Sequence, residues 1–573
     1  MENAQIADVF DEIADLTELK GGNEFRVRAY RAAAGTIRRL PRRLEDLIER
    51  GEDLAEIPDI GESSAEKIHE ILESGTCERL EDLKEEVPPG LTDLLRVPQL
   101  GPKTAMRLHR ELGIENLADL RGAVDAQRVR ELDGMGEKTE ETIQFGLASL
   151  EAGEGRILLK EAEGHALSLG RHLDGIDDVL QWQAAGSFRR RKETVGDLDV
   201  LVRASDREAA ADAIVRFRDV DEVLGRGEEG ITLRLISGLH VDVRFFEEEA
   251  FGAAQLYFTG SKKHNIALRR IAVDRDWKLN EYGLFKDDQR LAGRSEDTVY
   301  RRLNLAWVPP ELREDRGEVE AAADGALPSL VELGDVRGDL HSHTDATDGK
   351  ATIAEMAAAA AERGRAFQAI TDHSKRVTMA NGLDDDAVLA HAEEIREEDA
   401  RHSDLWLLAG IEVDILKDGS LDLDEATLAE LDWVVASLHY DLDQDEEKVT
   451  QRLLSAVRSG VVHVIGHPTT RRIGQRDPVP FDADRVFEAC AEHGVFLEIN
   501  AQPDRLDLPD AYVKRAKEAG VRFTIGTDAH QPADLDFLRY GVDVARRGWL
   551  GADDVLNTLS ASELRDALSV EED

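Results

Sequence analysis

The sequence predicts a multidomain chain. An all-α N-terminal part precedes an α+β middle, and a C-terminal α/β region closes as a distorted (β/α)7 barrel. Three observations carry this. A hydrophobic–turn–hydrophobic–Gly pattern occurs three times before residue 150, each time running into a helix. The stretch Gly186 to Val200 opens on Gly-Ser, passes a basic cluster and closes on Asp197 and Asp199 within an apolar, strand-like run. Beyond residue 336, seven short apolar runs alternate with helical segments, and most end in His, Asp or Glu.

Composition sets the bounds. A chain of 573 residues exceeds one core, and about three to five domains are expected. No apolar run approaches the length of a membrane span and no signal pattern opens the chain, so a cytoplasmic protein without a membrane partner is expected. Cys77 and Cys490 stand far apart without metal-ligand spacing. The formal charge is −47, and only 17 of the 72 basic residues are Lys. Acid excess with scarce Lys suits a halophilic interior. There, charge is screened within about 3 Å at 1 M salt, and repulsion of nucleic acid fades.

Taken in order, the first 50 residues show apolar positions Ile6, Val9, Phe10, Ile13 and Leu16 at helical spacing. The segment Asn23 to Arg31 interleaves arginines with aromatics, and Arg26 and Tyr30 are candidates for phosphate contact. The repeat follows as Ile57-Pro58-Asp59-Ile60-Gly61, Val97-Pro98-Gln99-Leu100-Gly101 and Leu132-Asp133-Gly134-Met135-Gly136. Gly permits the tight turn, and free N–H groups at the following helix start can hold a phosphate without reading a base. Three such copies resemble the helix-hairpin-helix motif of sequence-independent DNA binders. That assigns Gly61, Gly101 and Gly136, with Lys67 and Lys103, to DNA.

From residue 151 the pattern is α+β. In a strand, Asp197 and Asp199 point the same way, roughly 6.6 Å apart. Asp and Glu fill 119 of 573 positions, so the pair alone carries little. Joined to Gly-Ser, Arg-Arg and a strand, it resembles the nucleotidyltransferase signature of family X DNA polymerases, the polymerase-beta-like group.

The resemblance implies that Asp197, Asp199 and Asp242, the last in the strand-like run Leu239 to Phe245, form a catalytic trio holding two Mg²⁺ or Mn²⁺. Ser187, Arg190 and Gly196 would contact the triphosphate. In Leu256-Tyr257-Phe258-Thr259-Gly260-Ser261, Tyr257 and Phe258 would flank the nucleotide sugar, and Gly260 would be a further nucleotide-binding position. Asn265 would meet the base edge and Arg269 the template. Lys67 matches a family lysine that forms Schiff bases with deoxyribose phosphate, although Ser63 replaces its companion lysine. Val195 and His240 depart from the vertebrate Ser and Arg. The residues themselves suggest an amphipathic helix after Gly260 with Ile266 and Leu268 inward.

The last region carries His341-x-His343, Thr371-Asp372-His373, Gly466-His467-Pro468 and Asp528-x-His530. Polar residues at the carboxyl ends of barrel strands are where such folds place active sites. A mixed N/O set without sulfur suits zinc, manganese or iron in a phosphoesterase. These motifs resemble the PHP (polymerase and histidinol phosphatase) domain. The resemblance implies two or three such ions on His341, His343, Asp348, His373, Glu412, His439, His467, Asp528 and His530, with Asp345 an alternative to Asp348.

The expected boundaries are 1–88 for an 8-kDa-like helical domain with the first hairpin repeat and 89–150 for a fingers-like domain with the other two. Next come 151–250 for the palm, 251–315 for the thumb, 316–335 for a linker and 336–573 for the PHP barrel. The expected function is gap-filling DNA repair synthesis, of the base-excision type, by a monomer acting on gapped or nicked DNA and dNTPs. A barrel 3′→5′ exonuclease, or an abasic-site endonuclease, would accompany it. The alternative is a nuclease or phosphatase whose polymerase half binds DNA but is weakly active.

Overall fold

The computed structural model describes residues 156–568 apart from 228–229 and 378–379. N-terminal to these it describes 3–20, 24–39, 60–74, 76–86, 91–94, 102–126, 128–132 and scattered positions between 44 and 143. The chain divides into two compact units, Met1–Arg156 with Trp277–Asn280, and Ile157–Asp276 with Glu281–Asp573. No helix of the described residues is long and apolar enough to cross a membrane.

The first unit is helical, as its 3.6-residue apolar period requires. Helix Asn3–Leu19 buries Ile6, Phe10, Ile13 and Leu16 against helix Glu24–Arg39. At the first repeat, Gly61 precedes helix Glu62–Ser74 and its carbonyl accepts from the N–H groups of Ser64 and Ala65, both at 2.9 Å. At the third, the Gly136 carbonyl accepts from Thr139 and Glu140 in the same way. Helix Pro102–Leu112 follows the second copy, whose Gly101 and the Lys103 side chain lie outside the described residues.

The second unit begins with a short strand, Ile157–Leu158, and helix Leu159–Asp174 follows. A five-stranded sheet then runs in the order Val179–Ala184, Asp197–Ala204, His240–Phe245, Gly230–Leu235 and Val220–Arg226. Its central pair is parallel, with Asp199 opposite Asp242. Leu198, Val200 and Val202 of one strand, and Val241 and Val243 of the other, face the core.

Helices Phe251–Thr259 and Lys262–Val273 succeed the sheet. Ser261 caps the second of these, accepting from the His264 N–H. The inward positions of that helix are His264, Leu268 and Ala272; Ile266 is half-buried rather than core. His264 is held between Glu318 Oε1 (2.6 Å) and the Tyr300 hydroxyl (2.8 Å). Glu318 starts helix Glu318–Asp324, so the expected linker 316–335 is in part a packed strap. A buried carboxylate and imidazole that satisfy each other override the stretch's loop-like composition.

The barrel strands are Gly338–Asp339, Phe367–Ile370, Trp406–Asp414, Trp433–Ser437, Val464–Ile465, Phe496–Asn500 and Phe523–Gly526, hydrogen-bonded in that order and all parallel. The bridge Ser342 to Ala529 links the first strand's exit to the last. Continuous apolar runs such as Trp433-Val434-Val435-Ala436 are buried throughout, the mark of parallel strands covered on both faces.

Within this unit the turn after Gly186 docks on barrel helix Leu538–Arg547. Arg191 pairs with Asp543 at 2.6 Å, and Arg547 Nη1 donates to the Arg190 carbonyl at 2.6 Å.

Candidate active sites

At the palm, Asp199 Oδ2 lies 2.5 Å from where a Cβ on Gly186 would stand, and Gly186 has φ +62°. Only glycine lets the chain turn there beside the carboxylate. Asp199 is pushed up to about 7 by burial first, then by Asp197 and Asp242, with Arg244 and Arg190 opposing. Asp242 Oδ1 accepts from the Thr232 hydroxyl at 2.6 Å, and Asp197 is exposed. The three carboxylates thus share one sheet end and repel one another, an arrangement that cations relieve.

Around them, Arg190 reaches the Thr259 carbonyl at 2.5 Å and Glu314 at 3.0 Å. A Cβ on Gly260 would stand 3.2 Å from Arg190 Nη1, which places these two expected nucleotide contacts side by side. Asn265 donates to the Tyr257 carbonyl at 2.7 Å, Arg269 lies 5.2 Å from the Tyr257 ring, and Tyr257 meets Phe258 edge-on at 5.1 Å. Ser187 lies in the short helix Gly186–Arg189, and Gly196 immediately precedes the Asp197–Ala204 strand. Arg189, to which the sequence pointed only as part of a basic cluster, makes a two-pronged pair with Glu296 at 2.8 and 2.9 Å. Arg313 adds a third contact at 2.7 Å, and the two guanidinium groups hold Glu296 down at about 2 against the penalty of burial.

In the helical unit, Lys67 donates to the Ser63 hydroxyl and carbonyl at 2.9 Å each and stands 6.0 Å from the Tyr30 ring. Arg26, on the same helix as Tyr30, is exposed. Ser63, the residue that the resemblance sets in place of a companion lysine, is therefore Lys67's own acceptor.

The barrel gathers all nine expected ligands at its strand ends. Three groups each bring donor atoms within 4.8 Å of one another: His343, Asp348, His373 and His530; His341, His343 and Asp528; His373, Glu412 and His439. His467 Nε2 lies 2.9 Å from Glu412 Oε1. Asp348 supplies the carboxylate between His373 and His530, at 3.5 and 3.4 Å; Asp345 belongs to none of the three groups.

Divalent metals fit this site on three grounds. The Nδ1 atoms of His343, His439 and His467 are buried with no hydrogen-bond partner among the described residues. His341 Nε2 and His343 Nε2 are 3.2 Å apart, close to the spacing of two ligands sharing one ion at about 2.0–2.1 Å. The acids also keep their charge. Burial opposes it, but hydrogen bonds from His373 and His530 hold Asp348 well below the carboxylate range, and His439 and His373 do so for Glu412. Burial depresses His343 to about 4, aided by His373 and His530. His373 is raised to about 10 because Glu412 and Asp348 outweigh its burial.

A supporting layer escaped the sequence reading. His341 Nδ1 donates to Glu498 Oε1 at 2.6 Å, which turns Nε2 toward His343. A Cβ on Gly526 would stand 2.2 Å from that same Glu498 oxygen. Asp372 accepts from Thr344, Thr347 and His391 Nε2, fixing the loop that carries His343 to Asp348. Asn500 Nδ2 donates to Asp528 at 3.1 Å. Glu498 was visible in principle, because it sits two residues before Asn500 on the same strand face.

The two sites define a class, an enzyme with an aspartate-lined sheet site and a polymetal barrel site, both suited to phosphate esters. Comparison with known proteins narrows it. Residues 1–77 match a helix-hairpin-helix domain, 91–149 a SAM-like helix-hairpin-helix tandem, 254–314 the DNA polymerase beta thumb and 339–502 the PHP domain. The chain is 36% identical over 576 residues to the DNA polymerase/3′-5′ exonuclease PolX of Bacillus subtilis, covering 98% of this chain and 99% of that protein. Its C-terminal part is 31% identical to a probable phosphatase of a Thermoanaerobacter species, over 38% of this chain and 89% of that protein. A probable phosphatase of Photobacterium profundum is 34% identical over 34% of this chain and 79% of that protein. The chain belongs to the family X DNA polymerases that carry a PHP domain.

Proposed function

We propose that this chain is a DNA-directed DNA polymerase that also removes nucleotides from 3′ ends, and that it fills short gaps in DNA repair. The observation that carries the reading is Asp199 facing Asp242 across two parallel strands, in a chain collinear with PolX over nearly its whole length.

Asp197, Asp199 and Asp242 would hold two Mg²⁺ or Mn²⁺, which when bound neutralise triphosphate charge and acidify the primer 3′-hydroxyl. Asp242 is the residue we assign to take up the proton as that hydroxyl attacks the α-phosphate and pyrophosphate leaves. Ser187, Arg190 and Gly196 would bind the leaving phosphates. Tyr257 and Phe258 would pack on the sugar, Asn265 would sense the base edge and Arg269 the template. Gapped DNA would be gripped through Gly61, Gly101 and Gly136, with Arg26, Tyr30, Lys67 and Lys103.

In the barrel, the nine ligands would hold two or three Zn²⁺, Mn²⁺ or Fe²⁺, which when bound supply a hydroxide nucleophile and neutralise the phosphodiester. Glu498 and Asp372 keep the ligands aimed. Opening of abasic sites by the same centre belongs to this reading, as do a monomeric state, a cytoplasmic setting and adaptation to high salt. For the last, activity and thermal midpoint are expected to rise with KCl.

Primer extension on a gapped duplex and release of nucleotides from a 3′ end, each abolished by chelation and restored by Mn²⁺, test the reading. A chain that digests 3′ ends but incorporates no dNTP would instead be the nuclease with a merely DNA-binding polymerase half.

A further inference from the structure

A cavity of about 820 Å³ opens onto the barrel ligands. Asp348, His373, Glu412, His439, His467 and Asp528 form its floor. Among its wall residues Arg505 differs from the rest. It is only 8% exposed, its Nη1 is buried, and that atom has no hydrogen-bond partner among the described residues. Its Nε lies 3.8 Å from Asp528 Oδ2, beyond hydrogen-bond reach, and the guanidinium acts on the charge of His467. The backbone holds it firmly. The Arg505 carbonyl accepts from Arg471 Nε at 2.9 Å, and its N–H donates to the Gln502 carbonyl at 2.8 Å.

Asp528 offsets the guanidinium charge, but a buried donor left idle is costly until an acceptor completes it. Other arginines of the barrel are satisfied by the protein itself. Arg452 donates to five backbone or side-chain oxygens, and Arg471 Nη2 bonds Glu193 and the Leu506 carbonyl. Of these three, Arg505 lines the cavity and keeps a donor unused.

The geometry points to Arg505 as a phosphate-binding residue of the barrel, holding a non-bridging oxygen of the ester whose phosphorus lies over the ligand cluster. Guanidinium is the side chain best shaped for two phosphate oxygens at once, and it stays charged at any working pH. Part of the lining comes from the polymerase half, through Leu158, Lys160, Glu161 and Gly164, with Lys160 Nζ 4.1 Å from the centre of the Phe537 ring. A phosphate that Arg505 holds is therefore reached through a mouth shaped by both halves of the chain.

This inference rests on the phosphodiesterase reading of the barrel. The test uses the full chain with Mn²⁺ and inorganic phosphate as the probe, measured by calorimetry and as a competitive inhibitor of 3′-end digestion. Arg505→Ala is expected to weaken phosphate binding about ten- to a hundredfold and to raise KM for the 3′ end more than it lowers kcat. Arg505→Lys should recover part of the affinity through its charge. Retained primer extension serves as the folding check, because Arg505 lies outside the palm. Unchanged phosphate affinity in Arg505→Ala, with the wild type active on 3′ ends, overturns the assignment. A wild type that binds phosphate through Arg505 but digests no 3′ end would overturn the phosphodiesterase reading and leave the phosphate site standing.

Discussion

The palm and the barrel solve the same problem, clustered carboxylates facing phosphate esters, in opposite ways. In the palm, three aspartates stand at an open sheet end, one exposed and one pushed up to about 7 by burial and its neighbours. Arg189 is taken by Glu296 and Arg190 is shared with Glu314, so Arg244 and Arg190 offset the charge at Asp199 only in part. In the barrel, six imidazoles interleave with three carboxylates, and a layer of Glu498, Asp372, His391 and Asn500 aims them. The palm's charge is left for metal and nucleotide to complete. The barrel's ligands are aimed by their own supporting residues, with buried donors left for metal and ester to complete. The difference teaches that preorganisation here follows from depth: a barrel end surrounds its ligands, whereas a sheet edge offers them from one side only.

The largest expected effect separates the two outright. Asp197→Ala with Asp199→Ala should cost primer extension about a thousandfold or more and spare 3′-end digestion. His341→Ala with His343→Ala should do the reverse. Retention of the targeted activity in either pair would break the assignment of that site.

Glu296→Gln probes how the palm is held. It leaves Arg313, fully buried, facing a neutral amide, and removing one partner of a buried pair costs roughly 3 kcal/mol or more. Because Glu296 is held down at about 2 in the fold, its contribution is full above the ordinary carboxylate pKa. It is lost as pH falls from there through about 2. Acid titration of unfolding should show that loss in the wild type and not in the variant.

Glu498→Gln should weaken metal affinity of the barrel about ten- to a hundredfold, since supporting partners of histidine ligands carry effects of that size. Titration with Mn²⁺ followed by calorimetry measures it, and an unchanged isotherm would mean that Glu498 is packing alone.

The smallest effect is on the palm without metal. A raised carboxyl binds its proton more tightly folded than unfolded, so stability falls as pH rises from about 4 through about 7. Asp199→Asn should therefore stabilise the metal-free chain by roughly 1–2 kcal/mol at pH 8 and by little at pH 5. Thermal unfolding at the two pH values reads it. Equal shifts at both would show that burial and its two aspartate neighbours do not raise Asp199.

The sequence by itself determined the strand that carries Asp197 and Asp199, and its motifs, through the family they resemble, pointed to every residue of the barrel cluster but Asp348, for which Asp345 stood open. Those are local facts: alternation in strands, glycine at turns, and polar residues where apolar runs stop. Tertiary structure alone decided the rest. It chose Asp348 over Asp345, placed Glu498 behind His341, turned His264 inward to Glu318, and left Arg505 in the cavity wall with an idle donor. Each of these depends on two segments far apart in the chain meeting in a buried volume. There, an unpaired charge must find a partner, and no local pattern names which one.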